Sequence, residues 1–427
     1  MHYARAMTRT SPGHAGSHEN ALRVALTGML ALAVAMGIGR FAFTPLLPMM
    51  LHDRVIDLPA ASALATANYL GYWIGAMACA LQPWLWTHAL RRAPIVMTRA
   101  IRTGLAGTVV LTAGMALHWP DAWGWLRFAA GLASALVFVY TSNWCLGRLT
   151  SLGAPRLGGV IYVGPGLGIT LSGLAATGMV AGGLRAAHGW ALFAAVALLL
   201  TALIWGALRA RPAPAVTPAP TPTTPHAQRP RAGGQMGALV FAYGTAGFGY
   251  IVTATFLPVI ARQALPGSIW LDLFWPLFGI AVAAGSLLTL WMPMHWDRRH
   301  LLVGCYALQA LGVMLGVWWP SLAGFALGSL LLGLPFTAIT LFGLQEARRL
   351  SPERSAVLIS LMTAAYGLGQ IAGPAMVSVL LARSASEAQG LVLSLEIATA
   401  SLVLGLAVFV LMAWIRPQRR VSPRNAS

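Results

Sequence analysis

One arginine stands where an arginine is costly. Arg40 falls inside Met36-Gly-Ile-Gly-Arg-Phe-Ala-Phe-Thr-Pro-Leu-Leu-Pro-Met-Met50, late in the first long apolar stretch of the chain. An arginine at the centre of a membrane-spanning helix costs roughly 2.5–3.5 kcal/mol on insertion scales, so it is expected to do something there. At helical spacing Gly37, Arg40 and Thr44 share one face, and Pro45 and Pro48 stop or bend the helix just beyond. Arg40 could snorkel to the headgroups. The reading favoured here is a cation pointing into a polar cavity to meet an anion.

A second cation, Arg127, lies on an apolar stretch with Gly131 and Ser134 on its face. It either bridges helices or binds ligand. Together the two arginines, with no carboxylate on their own stretches, make an electropositive site, and guanidinium forks match carboxylates. Uncharged polar groups also recur at helical spacing: Asn68, Tyr72 and Gly75; Tyr243, Gly247 and Tyr250; Thr363, Tyr366, Gln370 and Gly373. Such groups can line a cavity or bond neighbouring helices.

The elements that must position these residues are membrane spans. The chain is 58% hydrophobic and 9% charged, whereas soluble domains carry about 25% charged residues. After a first span from residue 21, apolar segments fall at about 60–88, 96–118, 122–147, 157–182 and 189–208. A second set follows at about 236–262, 270–294, 299–319, 321–347, 355–383 and 391–415. Residues 1–20 read as a disordered tail, 209–234 as a proline-rich polyproline-like linker, and 417–427 as a basic tail. The N-terminal bundle is therefore expected over 21–208 and the C-terminal bundle over 235–416.

The net charge of +18 is made entirely of arginine, because the chain has no lysine. With the loops assigned alternately, only Arg54, Arg185, Arg262 and Arg383 fall on one side. Nearly all the rest fall on the side of the two termini, which the positive-inside rule makes cytoplasmic. The basic balance thus reads as topology, and no nucleic-acid partner is expected. Cys79, Cys145 and Cys305 lie in apolar segments without metal-ligand spacing, and neither metal nor cofactor is expected.

The two sets of spans are related. A shift of 210 positions lays Gly37-Ile-Gly-Arg-Phe-Ala-Phe-Thr-Pro-Leu-Leu-Pro48 on Gly247-Phe-Gly-Tyr-Ile-Val-Thr-Ala-Thr-Phe-Leu-Pro258, with Tyr250 at the place of Arg40. Gly166-Leu-Gly168 matches Gly367-Leu-Gly369, and Gly131 matches Gly333, at nearly the same offset. Two parallel six-helix repeats around a midplane site is a secondary-transporter architecture.

With these features the chain resembles the major facilitator superfamily. More narrowly, Gly37-x-Gly-Arg-Phe-x-Phe-Thr-Pro-Leu-Leu-Pro48, Asn68-Tyr-Leu-Gly-Tyr72 and Gly75-Ala76 resemble the YbfB/YjiJ-type permeases. The resemblance implies an all-α fold of twelve membrane helices in two pseudo-symmetric halves. It implies a cavity lined by the first and fourth helix of each half, with Arg40, Arg127, Tyr250, Tyr366, Gln370, Asn68 and Tyr72 as substrate-binding candidates. The loop Gln82-Pro-Trp-Leu-Trp-Thr-His-Ala-Leu-Arg-Arg92 departs from the superfamily by lacking an acid, whereas Trp296-Asp-Arg-Arg299 keeps one. Asp297 and Arg298 are therefore gating candidates, with Asp272 near the outer face and Glu396 within the last span as coupling candidates. The expected activity is alternating-access transport of a small, anionic or carboxylate-bearing solute, coupled to protons, by a monomer in a bacterial inner membrane.

Several classes are excluded by missing residues. Without lysine there is no Walker loop, no Schiff-base chromophore and no pyridoxal chemistry. No catalytic constellation is expected, since His-Glu-x-x-His and Gly-x-Ser-x-Gly are absent. Gly37-x-Gly-x-x-Ala42 imitates a dinucleotide fingerprint but follows no strand. Export of amphipathic drugs stands as the alternative substrate class, and a transport-inactive membrane sensor as a remote one.

Overall fold

Apolar residues recur over lengths that only helices can bury in hydrocarbon, since every backbone N–H and C=O must then be satisfied within its own segment. The computed structural model describes residues 15–84, 96–208, 232–265, 269–293, 296–352 and 355–415, and among these it is helical with no strand. The helices are α1 (Ala15–Leu32), α2 (Phe43–His52), α3 (Leu58–Trp84), α4 (Met97–Gly114), α5 (Pro120–Ser151), α6 (Val163–Ala181) and α7 (Ala186–Trp205). Then come α8 (Ala232–Ala264), α9 (Phe274–Trp291), α10 (Arg298–Trp318), α11 (Leu322–Gly333), α12 (Phe336–Leu350), α13 (Ser355–Arg383) and α14 (Glu387–Ile415). Ten described segments are long and apolar enough to cross a membrane. The long helices α3 and α4 pack among them, α3 against α5 and α13, α4 against α5 and α7.

Observed helices start and stop within a few residues of the expected spans, with three differences. The first helix begins at Ala15, inside the stretch expected to be a tail. The first span is interrupted by a π segment, Ala33–Ile38, and a turn over 39–42 before α2 resumes. The tenth expected span likewise breaks between α11 and α12 around Pro335. Residues 1–14, the proline-rich stretch 209–231, the basic tail 417–427 and most of the acid-free loop (85–92) lie outside the described residues.

The positions matched by the internal repeat make equivalent contacts. A Cβ on Gly168 of α6 would lie 2.6 Å from Gly37 Cα, and one on Gly369 of α13 would lie 2.6 Å from Phe248 N of α8. A Cβ on Gly131 of α5 would meet Asn68 O of α3 at 2.1 Å, and one on Gly333 of α11 would meet Phe278 O of α9 at 2.6 Å. Missing side chains bring these backbones together. Thr44 and Ala254, paired by the same shift, meet directly: the Thr44 hydroxyl donates to Ala254 O at 2.9 Å.

Two glycines of α5 separate packing from propensity. Gly131→Ala is expected to lose about 1–3 kcal/mol of stability, because the Asn68 carbonyl is backbone and cannot give way. Gly147→Ala, where a Cβ would meet nothing within 4 Å, is expected to be neutral or stabilising by up to about 1 kcal/mol. Detergent melting temperatures of the two variants measure the difference.

Candidate functional site

The site begins with the interruption in the first span. Pro45 has no N–H to donate to Phe41 O, and the Thr44 N–H bonds that carbonyl instead, at 3.2 Å. Upstream the hydrogen bonds lengthen to five residues, with Gly39 N–H donating to Val34 O and Phe41 N–H to Met36 O. This π register changes which residues share a face. Gly37 packs on Gly168 of α6, whereas Arg40 turns toward α13, so the shared face expected from 3.6-residue spacing is not formed. Pro45 and Pro48 both lie within α2, so the helix bends and restarts rather than stopping.

Arg127 holds the interruption. Its guanidinium donates to the carbonyls of Gly39 and Arg40, each at 3.3 Å, and lies 4.8 Å from the Phe43 ring centroid. Ser134, two turns along α5, donates to Ala35 O at 2.7 Å. Asn68 of α3 donates to Arg127 O at 2.9 Å. These contacts make Arg127 and Asn68 a bridge between helices, and Arg127 Nε, like Arg40 Nε, has no hydrogen-bond partner among the described residues.

Arg40 is placed differently. It is only 2% exposed, its Nη2 donates to Gln370 Oε1 of α13 at 2.6 Å, and Gln370 Nε2 donates to the Tyr250 hydroxyl of α8. The guanidinium carbon lies 4.0 Å from the Tyr72 ring centroid, 5.0 Å from that of Tyr69 and 5.5 Å from that of Phe41. Tyr366 stacks on Tyr250 at 5.8 Å. Arg40, Tyr72, Gln370, Tyr250 and Tyr366 are therefore gathered from α3, α8, α13 and the first span. Among the described residues no carboxylate pairs with Arg40, and its Nε–H has no hydrogen-bond partner. The surrounding seal includes Tyr69, whose hydroxyl lies 2.9 Å from Thr255 Oγ1, and Trp73, whose indole donates to Ala364 O at 2.9 Å.

The acids expected to couple or gate lie elsewhere. Asp272 pairs with Arg262 at 2.5 Å near one end of the bundle, and its carbonyl accepts from Thr177 of α6 at 3.2 Å. Asp297 caps α10, accepting from Arg299 N–H at 2.8 Å. Arg298 donates to Pro293 O at 3.4 Å and lies 5.8 Å from the Phe342 ring centroid. Glu396 lies on the exposed face of α14. Among the described residues, the carboxylate buried most completely is one that no sequence motif above singled out. Glu346 of α12 is fully buried, held by Arg299 at 2.6 Å and bidentately by Arg349 at 2.6 and 2.7 Å. Arg299 also donates to Met412 O, tying α10 and α12 to α14. An acid three residues before an arginine on one helix face was the available signal.

A family model described as "Uncharacterised MFS-type transporter YbfB" matches residues 32–410. No curated protein matches the sequence. Among solved structures, a point mutant of the nucleoside transporter NupG aligns at a TM-score of 0.67 and 14% identity, covering 92% of this chain and 99% of that one. Unmutated NupG aligns at a TM-score of 0.63 and 14% identity, covering 93% and 100%. At that identity the likeness is one of fold.

Two outcomes follow for the charged groups. Glu346→Ala strands buried Arg299 and is expected to cost about 3–5 kcal/mol, whereas Arg299→Met with Glu346→Leu recovers a large part of the loss. Arg127→Gln is expected to lower stability by about 1.5–3 kcal/mol through lost charge-assisted bonds to the Gly39 and Arg40 carbonyls. Chemical or thermal unfolding in detergent reads both.

Proposed function

The chain belongs to the YbfB-type family of MFS transporters, and on that premise we propose that it is a secondary active transporter of a small anionic or carboxylate-bearing organic solute. It is a multi-pass membrane protein. In the proposal, six-helix halves at 21–208 and 235–416 rock about Arg40 in alternating access. The equivalent glycine contacts of the two sets of helices support that division. The bacterial inner membrane with both termini cytoplasmic is the proposed setting, supported by the distribution of arginines.

One observation carries the substrate class. Arg40 is a buried cation held by a neutral amide and aromatic faces, with an N–H left unpaired and no acid beside it among the described residues. A buried charge is costly until something of opposite sign meets it, and an arriving carboxylate would do so. Gln370 joins the two halves through this same cation, so a ligand that takes over the guanidinium releases α13 from the first span. That release is the proposed link between binding and rocking.

Proton coupling is proposed on family likeness. The acids proposed for it are Asp272 beside Arg262 at one end, Asp297 near the Arg299–Glu346 pair at the other, and Glu396 on α14. Nucleosides, the substrate named for NupG, form a second reading, favoured by the aromatic rings around Tyr250.

Purified protein screened against small carboxylates, nucleosides and amphipathic cations tests these readings. A true ligand at a hundredfold its dissociation constant stabilises by about 2.7 kcal/mol. Carboxylates are expected to raise the melting point of the native protein and not of Arg40→Gln, and uptake into proteoliposomes is expected to follow the same pattern. Normal transport by Arg40→Gln would refute the role of Arg40.

A further inference from the structure

The guanidinium of Arg40 adjoins a larger aromatic cluster. Trp275 stacks on Phe278 at 5.1 Å, Phe278 meets Phe336 edge-on at 6.1 Å, and Phe336 meets Tyr250 at 5.0 Å. Phe41 closes the ring system, 6.3 Å from Trp275 and 6.4 Å from Phe336. These side chains come from α8, α9, α12 and the turn of the first span.

Two hydrogen-bond donors of this cluster have no partner among the described residues: Arg40 Nε and Trp275 Nε1. Trp275 is only 1% exposed. The Phe41 ring neighbours both, 5.5 Å from the Arg40 guanidinium carbon and 6.3 Å from the Trp275 ring. A buried donor with no acceptor is penalised for its lost hydration; Trp190 Nε1 is a like case against Phe43, but Trp275 adjoins the cluster around Arg40. The indole N–H therefore points to an acceptor on the ligand.

We infer that the ligand is a planar aromatic carboxylate bearing a second acceptor on its ring. This rests on the anion reading above and narrows it. The carboxylate pairs with Arg40. The arene lies against the faces and edges of Phe41, Phe336 and Tyr250, where aromatic rings gain offset or edge-to-face attraction that a saturated ring does not. The ring acceptor takes the Trp275 N–H, which makes Trp275 a specificity-determining residue.

Isothermal titration of the full-length purified protein with four probes tests this: benzoate, cyclohexanecarboxylate, nicotinate and isonicotinate. Benzoate is expected to bind about tenfold tighter than cyclohexanecarboxylate, which matches its charge and size without the π face. At least one pyridinecarboxylate is expected to bind about tenfold tighter than benzoate and to lose that advantage in Trp275→Phe, which keeps the wall and removes the donor. Equal affinities for benzoate and cyclohexanecarboxylate in the native protein, a comparison that needs no variant, overturn the aromatic inference and leave the anion reading standing. A pyridinecarboxylate advantage that survives Trp275→Phe, or is absent from the native protein, removes Trp275 from the site. Binding of none of the four, or equal binding by Arg40→Gln, sinks the anion reading and this inference with it.

Discussion

A guanidinium sealed among neutral groups is the constraint on which this molecule turns. Arg40 is buried between α13 and the first span, with one amide oxygen and three aromatic rings close to it. Electrostatics alone would reject that placement in an apolar interior, so the neighbourhood has been shaped to make it tolerable. Rings face the charge with their negative π clouds, and Gln370 supplies an acceptor that is itself anchored by Tyr250. Such a set of partners holds a cation without neutralising it.

Reaching that position requires an irregular first span. The π register at Ala33–Ile38 and the turn before α2 rotate Arg40 away from α6, on which Gly37 packs, and toward α13. An interrupted helix leaves carbonyls in a place where water is scarce, and non-helical backbone survives at membrane depth only where protein covers it. Arg127 and Ser134 provide that cover from a single helix, α5. The two buried arginines thus have complementary roles: one completes the backbone, and the other is presented by it.

Away from the centre, charge is treated in the opposite way. Glu346, Arg299 and Arg349 form a closed ion-pair group joining α10, α12 and α14, and Arg262 with Asp272 joins the end of α8 to the segment before α9. In each of these groups a carboxylate meets an arginine. Tight backbone contacts at small residues, as between Gly37 and Gly168, carry the packing between them. At the centre, by contrast, Arg40 meets no carboxylate among the described residues.

What the sequence determined by itself follows from local physics. Length and hydropathy set the spans, because about twenty apolar residues are needed to cross hydrocarbon. Arg40 could be singled out because the cost of a charge in an apolar run is a property of that run alone. Tyr250 and Gln370 could be proposed with it because the internal repeat and helical spacing are both written along the chain. Tertiary structure decided the rest. The register slip that turns Arg40 from Gly37 depends on five-residue hydrogen bonds that a 3.6-residue wheel does not anticipate. Arg127 was legible as a buried cation, but only packing showed its guanidinium bonded to the Gly39 and Arg40 carbonyls. Trp275, Phe278 and Phe336 looked like ordinary apolar residues in their own spans, and Glu346 like a helix-end acid. Their significance lies in which helices meet, and those contacts between distant segments leave no mark in local composition.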